Sequence, residues 1–231
     1  IVSWEFGIAI AVKSWHYTIF APYFVIGAVH SGVSGVVTVM IFMRWLFGWE
    51  EYVRKEHIES LARLLIVIAL AWLYFFSMEF IFGIYAQEGD ELATRHLQMF
   101  EAPWGWLFLT FIITSFFFPV PLWFFKNVRR SFLLMAITTI SVNIGMWLER
   151  FLIIVPGLAR KQVFTQSWYT YAPSAVEITI VCGTFALVLM MFLLFAKIFP
   201  LIPIFDIKEG QVLKDEISVG RRKVPAVIRE D

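Results

Sequence analysis

The chain has 231 residues, 60% of them hydrophobic and only 16% charged, with a net charge of +1. Soluble domains hold about 45–50% apolar and about 25% charged residues, so this composition excludes a soluble globular fold; the near-neutral balance also leaves no basic footprint for nucleic acid. The single cysteine, Cys182, excludes a disulfide framework and any cysteine-ligated metal or iron–sulfur cluster built by this chain alone.

The chain opens on "IVSWEF", with no methionine, no basic n-region and no small-residue cleavage site. Residue 1 is therefore expected to be an internal start. Residues 1–16 read as a periplasmic lead-in that ends on Trp15 and His16. Five stretches then reach the roughly 20 mostly apolar residues that a membrane-crossing helix needs. They are 17–43, 59–85, 104–125, 131–156 and 173–199. Lipid offers no partner to a free backbone N–H or C=O, so each is expected as a helix. The predicted fold class is an all-α membrane protein, five transmembrane helices forming a four-helix bundle plus one further helix. Residues 200–231 are polar and mixed in charge, and read as a cytoplasmic tail.

The first span carries His30 near its middle. Gly27, Ser31 and Gly35 recur every four residues there, the spacing that lets helices approach closely. Ser34 and Thr38 continue a polar edge. His16 and His30 return to one face of a helix, as haem-ligating histidines do. Bis-histidine ligation also needs histidines on a second span, and His57 and His96 read as loop residues, so haem is not expected. The second span holds Glu79 toward its far end. In the third, Trp104, Trp106 and Trp123 read as interfacial anchors. Pro119 and Pro121 predict a kink or break near its inner end. The fourth span contains "NIGMWLERF", with Asn143, Glu149 and Arg150 at membrane depth. Trp168, Tyr169 and Tyr171 read as anchors before the fifth span, which carries Glu177 about one turn in.

Loop charges give an orientation. With the first span running inward, the inner side holds Arg44, Arg54, Lys55, Arg63, Lys126, Arg129, Arg130, Lys197 and the basic residues of the tail. The outer side holds only Lys13, Arg95, Arg160 and Lys161. This bias places the N-terminus outside and the C-terminus in the cytoplasm.

Charges inside a span cost about 2.5–3.5 kcal/mol on insertion scales, so they usually face a bundle interior or a functional path. At about 1.5 Å per residue, Glu79, Glu149, Arg150 and Glu177 fall in the outer third of the membrane and His30 near its centre. Neighbours on a helix point about 100° apart, so Glu149 and Arg150 are not expected to pair with each other. Glu79 and Glu177 are the carboxylates expected at Arg150, which leaves one carboxylate without a cation. Such a group can exchange a proton. The candidate proton path is thus His30, Glu79, Asn143, Glu149, Arg150 and Glu177. The alternative is a set of ion pairs that only fixes helix packing. No catalytic or metal-ligating residue is singled out.

Four blocks together resemble a known family: "SWHYTIFAPYFVIGAVHSG" (14–32), "MEFIFGIY" (78–85), "NVRRS" (127–131) and "NIGMWLERFLIIV" (143–155). They resemble the NrfD/PsrC-like integral membrane subunits, and among these the C subunit (ActC) of bacterial alternative complex III, of which this chain resembles the C-terminal half. The resemblance implies a multi-pass subunit of the bacterial inner membrane. It implies a quinol:electron-acceptor oxidoreductase that oxidises menaquinol or ubiquinol at the periplasmic side, with no haem or iron–sulfur cluster in this chain. The implied partners are a periplasmic iron–sulfur subunit, multihaem cytochrome c subunits and a homologous NrfD-like membrane subunit. Proton translocation is implied for the second bundle, and Trp15 and His16 are implied to border the quinol pocket. Two other readings stand beside it: the quinone-reacting anchor of a molybdopterin reductase of the polysulfide reductase type, and a purely structural scaffold.

Overall fold

The computed structural model describes residues 1–10, 12, 15, 17–50, 52–159, 171–199, 216–219 and 222–225. His16, Lys13, Arg160, Lys161, Trp168, Tyr169 and the tail beyond two short strands lie outside the described residues. The chain divides into two compact units, Ile1–Tyr171 and Ala172–Asp231.

Among the described residues five helices are long and apolar enough to cross a membrane: Phe20–Phe47, Lys55–Ala86, Trp104–Trp123, Phe132–Leu158 and Ala175–Ile198. They are called here the first to fifth spans. The first four lie in the first unit. The first span packs against the second and the fourth, and the third packs against the fourth. A helix absent from the sequence reading, Gly89–Phe100, bridges the second and third spans and packs on the third and fourth. His96 belongs to this bridging helix and His57 to the first turn of the second span, so neither is a loop residue. The N-terminal segment is helical too, α-helical over Val2–Trp4 and π-helical over Glu5–Ile10.

The bundle interior is aromatic and largely sealed. Trp72, Trp123, Phe111 and Met135 are at most 2% exposed. Trp72 stacks on Phe76 at 5.1 Å and meets Phe111 edge-on at 5.8 Å. Lipid tails are as apolar as these side chains, so close packing and interhelical hydrogen bonds hold the bundle rather than expulsion of water. Trp123 and Trp104 are corrections. They are 0% and 8% exposed, so only Trp106 of the three, at 72%, stands where an interfacial anchor would. Trp123 turns inward because its indole Nε1 donates to Thr138 Oγ1 at 2.9 Å.

Proline shapes two spans, and each time a neighbouring side chain repairs the backbone. In the third span the expected break is a π-helical segment, Ile113–Phe117, followed by a short helix, Pro119–Trp123. Phe118 N donates to Ile113 O at 2.8 Å, and Pro119 has no N–H. The Thr114 carbonyl therefore has no helical donor, and Ser141 Oγ of the fourth span donates to it at 2.9 Å. Gly145 permits this approach, because a Cβ there would lie 2.7 Å from Ser115 N. In the fourth span Pro156 cannot donate to the Leu152 carbonyl, and Gln98 Nε2 of the bridging helix does so at 2.9 Å. Gln98→Ala should cost about 1–3 kcal/mol, the penalty of an unsatisfied buried carbonyl. In a Pro156→Ala background that cost should vanish, because Leu152 regains a helical donor. Denaturant unfolding of the four variants measures the coupling.

The second unit holds the fifth span. Ser174 caps it: Ser174 Oγ accepts from Glu177 N at 3.2 Å, and Glu177 Oε2 accepts from Ser174 N at 2.7 Å. This reciprocal capping box explains Glu177 without any membrane-depth role. The same unit adds a short antiparallel pair to the expected all-helical fold, Glu216–Val219 with Arg222–Pro225, in which Ile217 faces Val224 in register.

Candidate functional site

The polar residues of "NIGMWLERF" do not point into lipid. Glu149 is 2% exposed and sits where the first, second and fourth spans meet. Its Oε1 accepts from the Tyr23 hydroxyl and from Trp72 Nε1, the latter at 2.9 Å. Its Oε2 lies 3.2 Å from Arg150 Nη1. Glu149 and Arg150 therefore do pair, against the expectation from helical geometry. The 100° offset separates their Cβ atoms, but the long arginine side chain curls back over the first span. There Arg150 Nη2 donates to Phe24 O at 3.3 Å, and the guanidinium lies 3.9 Å above the Phe24 ring. Gly27 makes the room: a Cβ at that position would lie 2.7 Å from Arg150 Nη2.

Arg150 is not the cation of Glu79. That role belongs to Arg95 of the bridging helix, which sequence reading left as an outer-loop charge. Arg95 Nη2 lies 3.5 Å from Glu79 Oε1 and 2.9 Å from Glu91 Oε1. Arg95 Nε also donates to Glu91 Oε1 at 3.0 Å, and the Tyr17 hydroxyl donates to Glu91 Oε2. The guanidinium rests 4.6 Å from the Phe80 ring centroid. Gly83 admits it, since a Cβ there would be 2.6 Å from Arg95 Nε. Glu79, Glu91 and Arg95 are 6%, 0% and 6% exposed. The i, i+4 spacing of Glu91 and Arg95 is the one sequence signal that could have found this pair.

Glu79 and Glu149 share a cavity of about 40 Å³, lined also by Arg95, Gln98 and Tyr23 together with phenylalanines of the second and third spans. One buried water needs roughly 10–15 Å³, so the cavity has room for about three. Glu79 Oε2 faces no hydrogen-bond partner among the described residues, and Glu149 Oε2 has only the unaligned contact with Arg150. Three carboxylates, Glu79, Glu91 and Glu149, here face two guanidiniums, Arg95 and Arg150. The group is electrically neutral when one proton is shared among the carboxylates. Carboxylates on two different spans, joined by a water-sized space, can hold and pass that proton.

A polar seam leads from this cluster along the interface of the first and fourth spans. His30 comes seven residues after Tyr23, about 10 Å further along the helix. It is fully buried between the rings of Trp72 and Trp123, at 6.1 and 6.5 Å. Neither imidazole nitrogen meets a hydrogen-bond partner among the described residues. Trp72 neighbours both His30, ring to ring, and Glu149, to which its Nε1 donates. Further on, Ser34 Oγ donates to Asn143 Oδ1 at 2.9 Å, and Thr38 Oγ1 to Thr139 Oγ1 at 2.9 Å. The small-residue stripe at Gly27 and Gly35 faces the fourth span, as its spacing predicts. Trp15 is 1% exposed and meets Phe6 edge-on at 5.5 Å, with its Nε1 unpartnered among the described residues. Of the candidates, then, Glu79 and Glu149 line the cavity, Arg150 pairs with Glu149, His30 is buried beside Trp72 and Trp123, and Asn143 meets Ser34. Glu177 lies in the second unit, and His16 lies outside the described residues.

Comparison with known proteins gives a family match. The family model described as polysulphide reductase, NrfD, covers residues 1–162, which takes in the first four spans and the whole buried cluster. No curated protein matches the chain. Membrane subunits of this family work beside iron–sulfur or molybdopterin subunits in a membrane complex. With its multi-pass helices and a match over more than half its length, the chain belongs to the NrfD family of membrane subunits of quinone-interacting oxidoreductases.

Proposed function

We propose that the chain is a membrane subunit of a quinol:electron-acceptor oxidoreductase of the alternative complex III type, and that its bundle carries protons coupled to quinol oxidation. The observation that carries the proton reading is the water-sized cavity between Glu79 and Glu149, with a carboxylate oxygen on each side that accepts no hydrogen bond from the described residues. In this reading Glu79 and Glu149 are the exchangeable carboxylates. Arg95 and Arg150 hold them in place and limit their charge. His30 relays between the cluster and the seam of Ser34, Asn143, Thr38 and Thr139. Glu177 is left to its capping role. The complex sits in the bacterial inner membrane with the N-terminal end of this chain on the periplasmic side. Its partners are a periplasmic iron–sulfur subunit, multihaem cytochromes c and a second NrfD-like membrane subunit. Trp15 and His16 border the quinol site on that side.

The description of the matched family favours a second reading, the anchor of a molybdopterin enzyme that reduces polysulfide with electrons from quinol. Purifying the native complex separates the two. Haem c absorbance, with quinol-dependent reduction of an external acceptor, supports the first reading. Molybdenum in the soluble partner, without haem c, overturns it in favour of the second.

A further inference from the structure

The far end of the bundle carries a second feature, independent of the buried cluster. Where the first span hands over to the second lies a groove of about 250 Å³. It is lined by Arg44, Arg54 and Lys55, by Phe132, and by Glu50 and Glu56. The first span ends at Gly48, whose left-handed φ of 66° reverses the chain, and the second begins at Lys55, so a short turn gathers these cations.

Arg44 is held ready. Its Nη1 donates to Val53 O at 3.3 Å, and its guanidinium lies 4.3 Å over the Phe132 ring. Its carboxylate partner, Glu50, is 3.6 Å away on a side chain that is 77% exposed. An exposed pair at that distance contributes little, and a phosphate offering two oxygens competes well for the guanidinium. The other acid, Glu56, is drawn off by Arg130 at 3.5 Å. Lys55 opens a 32-residue helix, whose N-terminus adds partial positive charge. The level is also distinctive. Trp45 is 78% exposed and Phe47 52% exposed beside the groove, as residues at the headgroup boundary are. The anion present at that depth is a lipid phosphate.

We propose that this groove binds the phosphate of an anionic phospholipid, with Arg44 as the preorganised contact and Arg54 and Lys55 supplying charge. The test uses the purified complex containing this subunit, stripped of lipid in detergent and titrated with phosphatidylglycerol. Retained lipid phosphorus per complex is the readout. The exposed double change Arg54→Gln/Lys55→Gln should weaken saturable binding by roughly 25-fold, about fivefold for each charge removed. Lys126→Gln, which removes a charge outside the groove, should leave it unchanged. Phosphatidylcholine and excess inorganic phosphate should fail to displace the bound lipid. An equal loss in Lys126→Gln would mean diffuse attraction to the surface, displacement by phosphate would mean a site for a soluble anion, and equal retention of phosphatidylcholine would mean no selectivity. Each of these overturns the proposal. Unchanged binding in the double variant overturns it as well.

Discussion

Replacing Glu149 by alanine is expected to cost about 3–5 kcal/mol and to stop the subunit from assembling, because it strands a partly buried ion and two buried donors. Arg150 loses the carboxylate 3.2 Å from its Nη1, and Trp72 Nε1 and the Tyr23 hydroxyl lose their acceptor. Neither donor can turn to water, since Trp72 is 0% and Tyr23 2% exposed. Glu149→Gln is the contrasting case. Its side-chain carbonyl still accepts from Trp72 and Tyr23, so both donors stay satisfied and the complex should assemble, while the charge beside Arg150 and the exchangeable proton are lost. Subunit content of purified membranes, read by immunoblot, distinguishes them. Equal assembly of the alanine variant and the wild type would mean that the cluster does not hold the bundle.

The second large effect is expected at Arg95. Arg95→Ala removes the only cation shared by Glu79 and Glu91 among the described residues, leaving two carboxylates that are 6% and 0% exposed. The loss should again be about 3–5 kcal/mol. The double change Arg95→Ala/Glu91→Ala removes one of the stranded charges and should recover part of it. Thermal unfolding of the detergent-solubilised complex checks both. Gly83→Ala should reproduce a milder form of the Arg95 defect, because the added Cβ would fall 2.6 Å from Arg95 Nε and push the guanidinium off Glu79.

Much of this was legible in the sequence because lipid is a strict solvent. Length and apolarity alone give the five spans, and the rarity of charge inside them picks out Glu79, Glu149, Arg150 and His30. What stayed hidden depended on tertiary reach. The segment Gly89–Phe100 is too polar and too short to count as a span, so Arg95 passed for a loop charge although it is the partner of Glu79. Arg150 was assigned by the direction of its Cβ, while its guanidinium lies several bonds further out and folds back across Gly27. Trp123 reads as an anchor because it stands near a span end, whereas its inward turn is set by Thr138 on another helix. Pro119 and Pro121 announced a break. The π-helical form of that break depends on Ser141, a donor from the fourth span that no local reading of the third span supplies.

The ion pairs alone would also suit a scaffold, so the central claim concerns the proton rather than the packing. Glu79→Gln and Glu149→Gln keep the shape of the cluster and remove its exchangeable carboxylates. The most direct measurement is the number of protons released per electron when the complex, reconstituted in liposomes, oxidises a pulse of quinol. Both variants should assemble and release fewer protons per electron than the wild type, with turnover lowered by at least about tenfold if proton transfer limits the rate. Wild-type proton release and wild-type turnover in both variants would contradict the account.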